Sequence, residues 1–309
     1  MMENNKFSII TTCFNDSKNA ASYLDNIARQ TLLPYELIIV DGGSKDNTCK
    51  VIQDYSVKCP FEIKIITDGR LNIAEAFNIG IKNAVTDYVL ITCMGNYFSE
   101  NMCELLFNNI TSESTDASYG LLMGVDTGKF STLYNKAFIR TKGNDIMSNR
   151  CVLYKKSIFD KIGYFIENFK YAGEDAEFLL RFDRSGLKRS LVPHVTVFWE
   201  TPNSWSAYAK QRENYAIAEL QYGGIIRNLF NGRMVLVYGF FILILVGLFF
   251  KKLLVLLILL SIIRFVMSKS HKSLNVFLLQ KSAVFLKLYY SVKNIRYGFP
   301  SNRVSINNS

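Results

Sequence analysis

Two short stretches of the 309-residue chain carry side chains able to do chemistry at a strand end or a helix start: VDGGSKDNT (40–48) and YAGEDAEF (171–178). In the first, an apolar run ends on Asp41, two glycines allow a tight turn, and Asp46 stands where it can cap the next helix. A carboxylate so placed accepts from a base or ribose donor, while the turn and helix N-terminus beside it admit a nucleotide. The alternative is an aspartate that only closes its own loop. In the second stretch, Glu174, Asp175 and Glu177 crowd a helix start behind Gly173, whose missing side chain lets another molecule come close. The helix favours the ionised form of a carboxylate there, the form that can take a proton. The alternative is an acid that merely stabilises the helix. A third stretch, LITCMGNYF (90–98), ends an apolar run on Cys93, Gly95 and Asn96.

The elements that must position these residues alternate. KFSIITT, ELIIVD, EIKIIT and DYVLIT are short β-branched runs between residues 6 and 92, separated by amphipathic segments of helical period. That pattern predicts βαβ units and a mostly parallel sheet, which binds ligands at the carboxyl ends of its strands. The residues to watch are therefore those that end strands: Thr11, Thr12, Asn15 and Asp16, then Asp41, then Asp68 and Arg70, then Cys93 to Asn96. Beyond residue 120 the pattern loosens into a strand-like CVLY, a helix AEFLLRFDRS, a strand LVPHVTVFW and a helix SAYAKQRENYAIAELQ. Neither G-x-G-x-x-G nor a P-loop follows the first strand, which disfavours a generic dehydrogenase or kinase.

Charge divides the chain. All 26 acidic residues precede residue 223, and the remainder carries 12 Lys/Arg and no Asp/Glu. A basic tail behind a near-neutral body argues for anionic membrane lipids and against nucleic acid as partner. The apolar runs 234–250 and 253–267 flank Lys251 and Lys252 and predict a transmembrane or re-entrant hairpin with both ends in the cytoplasm. Residues 274–299 alternate apolar stretches with lysines, as a helix lying on a bilayer interface does. The six cysteines form no C-x-x-C pair and read as reduced thiols, and MMENNK runs straight into a strand, so the front domain is expected to face the cytosol. The expected organisation is a domain over 1–222, a linker and hairpin over 223–267, and a basic amphipathic tail over 268–309.

SIITTCFND, YLDNIARQTLLPYELIIVDGGSKDNT, AFNIGIKNAVTDYVLI and YAGEDAEFLLRF, in that order over residues 6–221, resemble an inverting family 2 glycosyltransferase with the α/β GT-A fold. The resemblance implies that Thr12, Asp41 and Arg70 hold the nucleotide, that Asn78 packs beneath the donor, and that Asp175 is the general base with Glu174 beside it. It also implies that QRENY (211–215) stands where processive relatives carry Q-x-x-R-W. Gln211 matches, Asn214 replaces Arg and Tyr215 replaces Trp, a departure that favours addition of a single sugar. Arg212 and His194 are candidates for acceptor or diphosphate contacts. Arg70 has the alternative of a solvated loop charge, Asn78 that of a helix-packing amide, and His194 that of a packed strand residue.

In that family the fourth strand ends in an acidic pair that helps hold Mg²⁺ or Mn²⁺ on the donor diphosphate. Here Cys93 and Gly95 occupy those places, leaving Asn96 as a weak candidate contact. Metal use, leaving-group stabilisation by cations alone (Arg70, Lys45, Arg212, His194), and a degenerate relative that binds without turnover are the three readings. The expected activity is transfer of one sugar from a nucleotide-sugar, UDP-linked, to a lipid-linked saccharide in surface polysaccharide or glycolipid synthesis at the cytoplasmic membrane. The alternatives are transfer to polyprenyl phosphate and a non-catalytic nucleotide-sugar-binding subunit.

Overall fold

The computed structural model describes residues 6–139, 147–229, 239, 255 and 274–299. By their internal contacts these fall into two units: 6–127 with 147–201, and 128–139 with 202–229 and 274–299.

The first unit holds the sheet. Strands β1 (Ser8–Cys13), β2 (Glu36–Asp41), β3 (Glu62–Thr67) and β4 (Tyr88–Cys93) alternate with helices α1 (Ser17–Ala28), α2 (Thr48–Ser56) and α3 (Ile73–Asn83). The four strands are mutually parallel in the order β3-β2-β1-β4, as βαβ units demand. Every residue of β2 is buried, and so are all but one of β1, which fits strands covered on both faces. Helix α3 starts on a capping box in which Asn72 and Glu75 satisfy each other's backbone N–H groups.

Beyond β4 the sheet is mixed. It continues with β7 (Cys151–Lys155), β6 (Ala117–Val125), β8 (Arg189–Glu200) and the short β5 (Tyr97–Phe98). Strand β7 runs antiparallel to both β4 and β6, β6 is parallel to β8, and β5 is antiparallel to β8. Six of the eight strands still run in one direction, as a mostly parallel sheet requires, while β7 and β5 run against them. The consequence is functional: the start of β7 lies at the same edge as the end of β4. Helices α4 (Met102–Ser112), α6 (Ile158–Ile162) and α7 (Glu174–Arg184) complete this unit. Two clusters of buried side chains, around Ile9, Leu37 and Leu106 and around Ile38, Phe77 and Phe178, form its core.

The second unit comprises α5 (Lys129–Tyr134), α8 (Trp205–Leu229), broken at Gly224, and α9 (Leu274–Lys293) followed by a 3-10 turn. Helix α9 packs on α8, and Lys293 bonds Glu213 at 3.0 Å across that contact. The runs 234–250 and 253–267 lie outside the described residues apart from Gly239 and Val255. Among the described residues no helix is long and apolar enough to cross a membrane.

Candidate active site

The first unit gathers its polar residues at the carboxyl edge of β1, β2 and β4. Asp41 is buried and accepts from the Ser44 backbone N–H at 3.0 Å, the Ser44 hydroxyl at 2.5 Å and the Cys13 thiol at 3.5 Å. Its carboxylate thus closes its own turn. Asp46 accepts from the Thr48 N–H at 3.0 Å at the start of α2, one residue before the position expected of a cap. Thr12, half-buried, lies between Val40 and Cys93 in the sheet register. Arg70 is exposed, with its Cα near the Gly43 backbone, so the loop after β3 lies against the turn after β2.

Asp175 is brought to this edge by α7, and the loop before α7 is tied down from two sides. Asn78 on α3 donates to the Phe165 carbonyl and to Glu167 Oε1, each at 2.8 Å, and accepts from the Phe165 N–H at 3.0 Å. Asn78 is buried at 2 % exposure, and these bonds fasten α3 to the loop that leads to α7. From the other side Arg181 forks onto buried Glu177 at 2.7 and 2.8 Å and also donates to the carbonyls of Ile162 and Tyr164. Gly173, at φ 118, supplies the left-handed residue on which α7 begins.

The two carboxylates that follow are in different environments. Glu174 is buried, its Oε2 has no hydrogen-bond partner among the described residues, and burial together with the neighbouring Asp175 pushes it up to about 8. Asp175 is also pushed up by burial, opposed by the Ala176 N–H, the Arg150 guanidinium and the Ser148 hydroxyl at 3.5 Å. The helix N-terminus favours an ionised Asp175, and desolvation acts against it. Burial thus favours the protonated form of both carboxyls, and a charge on Asp175 further disfavours one on Glu174.

Ser148, Asn149 and Arg150 were not among the candidates read from the sequence. They precede β7, and because β7 is antiparallel to β4, with Cys151 opposite Thr92, they lie beside Cys93. The Cys93 thiol donates to the Asn149 carbonyl at 3.6 Å. The Arg150 guanidinium stacks 4.3 Å from the Trp199 ring centre on β8.

The turn after β4 is closed by the Asn96 N–H donating to the Cys93 carbonyl at 3.3 Å, with Gly95 at φ 88. A Cβ at Gly95 would come within 3.2 Å of Asn19 Nδ2. Asn96 is buried and its Nδ2 has no partner among the described residues. Burial pushes the Cys93 thiol up to about 11, so it stays protonated. A neutral thiol, a glycine and an amide do not fit a hard divalent cation, and no three His, Cys, Asp or Glu side chains are grouped for one among the described residues.

His194 is not brought to this edge. It is exposed in an irregular stretch of β8, five residues before Trp199, on the order of 15 Å back along the strand. Gln211, Arg212 and Tyr215 belong to α8 in the second unit. Gln211 Oε1 accepts from Tyr134 at 2.9 Å and from Arg212 at 3.2 Å, while the Arg212 guanidinium lies over Tyr215, Tyr208 and Phe138 at 4.7, 5.6 and 5.8 Å. This is a cation held in an aromatic cage, with half-exposed Tyr215 as its outer wall.

The chain matches glycosyl transferase family 2 over residues 8–173 and glycosyl transferase family group 2 over residues 105–290. It is 28% identical over 261 residues, 78% of this chain and 80% of the relative, to the dolichyl N-acetyl-alpha-D-glucosaminyl phosphate 3-beta-D-2,3-diacetamido-2,3-dideoxy-beta-D-glucuronosyltransferase of Methanococcus voltae. It is 28% identical over 57% of each chain to the poly(ribitol-phosphate) beta-N-acetylglucosaminyltransferase TarP of Staphylococcus aureus, and so spans little more than half of that protein. In fold it is similar to the mannosyltransferase PcManGT of Pyrobaculum calidifontis in complex with GDP-Man and Mn²⁺, with a TM-score of 0.59 at 16% identity over 94% of this chain and 87% of that one. It is also similar to S. aureus TarS 1-349 in complex with UDP-GlcNAc, with a TM-score of 0.52 at 16% identity over 70% of this chain and 66% of that one. The α/β sheet with its mixed far half, the carboxyl-edge site and the family match agree: the chain is a glycosyltransferase and belongs to glycosyl transferase family 2.

Proposed function

We propose that this glycosyltransferase moves a single sugar, with inversion, from a nucleotide-sugar, UDP-linked, to a lipid-linked saccharide in surface polysaccharide or glycolipid synthesis. The observation that carries the reading is Asp175. It stands at the start of a clamped helix, at the ligand-binding edge of the sheet, with burial raising its proton affinity toward that of a working base. In the proposed step Asp175 takes the proton of the acceptor hydroxyl as its oxygen bonds to the anomeric carbon. The bond from that carbon to the nucleoside diphosphate breaks on the opposite face, and the diphosphate leaves with the electron pair. Burial of Glu174 beside Asp175 favours its protonated form, which spares Asp175 a second negative charge. Asp41 and Arg70 border the nucleotide.

A lipid-linked acceptor is supported by the M. voltae relative, named for a dolichyl-linked substrate, and by the surface of α9. Leu278, Phe285, Tyr289 and Val292 are exposed at helical spacing, flanked by Lys281, Lys293 and Arg296 with no acidic residue in the segment. That composition suits the interface of an anionic bilayer. A helix of that kind would hold the enzyme at the cytoplasmic membrane.

The test is a screen of UDP- and GDP-sugars with membranes containing the protein and their lipid extract, run with and without a chelator and separating donor hydrolysis from transfer. Sugar appearing in a lipid-linked saccharide supports the proposal. Sugar on polyprenyl phosphate alone, or hydrolysis with no transfer from any donor, overturns it.

A further inference from the structure

We infer that this enzyme seats the donor diphosphate without a divalent cation, on the guanidinium of Arg150 stacked against Trp199 and the buried amides of Asn96 and Asn149. The inference rests on the nucleotide-sugar reading above and concerns the same edge of the sheet. Its starting point is a mismatch between the fold and its residues. Fold neighbours are seen with nucleotide-sugar and Mn²⁺, whereas the turn after β4 offers a protonated thiol, a glycine and an amide. The glycine is a backbone requirement as well as a missing carboxylate: at φ 88, with Asn19 Nδ2 3.2 Å from where a Cβ would sit, position 95 has no unstrained way to carry an aspartate.

The same edge presents a cation that no carboxylate among the described residues pairs with directly. Continuing the β4–β7 register by one residue sets Arg150 beside Cys93, and continuing the β5–β8 register sets Asn96 beside Trp199. The guanidinium carbon lies over the indole 4.3 Å from the ring centre, a contact that uses none of its N–H donors. Among the described residues Arg150 has no carboxylate within ion-pair distance, although it acts electrostatically on Cys93, Glu174 and Asp175. Two more donors stand unused nearby. Asn96 Nδ2 and Asn149 Nδ2 are both buried without acceptors among the described residues, at 3 and 4 % residue exposure. A buried amide left unpaired is costly, and each of these lacks only an acceptor. One planar cation and two amide donors at the same edge of the sheet match the non-bridging oxygens of a diphosphate, which an arginine edge binds through two parallel hydrogen bonds.

In the transfer step the electron pair of the broken bond goes to the leaving β-phosphate oxygen, and Arg150 meets that charge as it develops. Asp175, a neighbour of the same guanidinium, gains its proton as the diphosphate gains charge. The site therefore exchanges one anion beside Arg150 for another.

The test measures binding, by calorimetry on the full chain in detergent, of UDP and GDP and of the corresponding monophosphates, in EDTA and again with Mn²⁺. In EDTA the preferred diphosphate is expected to bind about tenfold or more tighter than its monophosphate, the increment of a charge-assisted phosphate contact, and Mn²⁺ is expected to leave that ratio within about twofold. Arg150→Met should erase the preference while leaving monophosphate binding intact, which shows in the same titration that the variant is folded. Arg150→Lys, which keeps the charge and loses the fork, should retain part of it. A preference that appears only with Mn²⁺, or that survives in Arg150→Met, overturns the inference while sparing the nucleotide-sugar reading. Absence of binding by any of the four nucleotides overturns both.

Discussion

Glu174 and Asp175 are adjacent in sequence yet differ in what the fold asks of them. Glu174 is buried without a partner for one oxygen, and its folded-state proton affinity rises from the ordinary 4.5 to about 8. A carboxyl whose folded value is raised contributes stability that is full below its unfolded value and is lost as pH rises through the folded one. The first unit should therefore lose stability between about pH 4.5 and 8, and Glu174→Gln, permanently neutral, should flatten that decline in thermal unfolding followed across pH. An unchanged slope in the variant would assign the decline to another group. Asp175 shares with Glu174 the favourable charge of Arg150 and backbone N–H groups of the helix start, and adds the Ser148 hydroxyl, all against the desolvation that opposes its charged form. The acid limb of the transfer rate should consequently lie above the pH of an ordinary aspartate. Arg150→Met, removing the favourable charge, should move it higher still, measured as kcat against pH.

Elements decide which residues meet, and here the sequence was legible in one half of the sheet and not in the other. Strands β1 to β4 and the helices between them follow from β-branched runs alternating with amphipathic ones, because local period alone dictates βαβ units. Thr12, Asp41, Arg70 and Asn96 could be placed at the site edge because they end or follow those strands. Ser148, Asn149 and Arg150 could not, since they precede β7, and only its antiparallel pairing with β4 carries them to that edge. The signal available was a polar triplet, SNR, directly before the strand-like CVLY. His194 misled for the converse reason: its strand was recognised, but an irregular stretch of the β6–β8 pairing leaves it exposed well short of the strand end. The turn at Cys93–Asn96 shows how an element constrains chemistry. Gly95→Ala should lower the unfolding temperature by about 2–4 °C for each kcal/mol of left-handed strain, itself about 1–2 kcal/mol. Gly95→Asp should also melt below the parent, and a melting temperature equal to the parent's would remove the backbone explanation for the lost carboxylate.

The whole chain joins a catalytic sheet to a basic, apolar C-terminal part, with all its acidic residues in the first 222 positions. An enzyme acting on lipid-linked acceptors needs its soluble donor and its membrane-bound acceptor at one surface, and the exposed stripe on α9 suits that task. Replacing Phe285 and Tyr289 by Ser should weaken transfer to acceptors embedded in anionic vesicles by about tenfold, given the apolar area lost from the interface, without altering donor hydrolysis. Equal losses in both reactions would indicate a structural role for the stripe instead. The account as a whole stands on Asp175 as the group that takes the acceptor's proton. Its most direct test is transfer of labelled sugar to the lipid-linked fraction by membranes bearing the parent protein or Asp175→Asn, with nucleoside diphosphate binding measured in both. The account predicts a loss of about a hundredfold or more in transfer by Asp175→Asn with diphosphate binding retained. Undiminished transfer by that variant would contradict it.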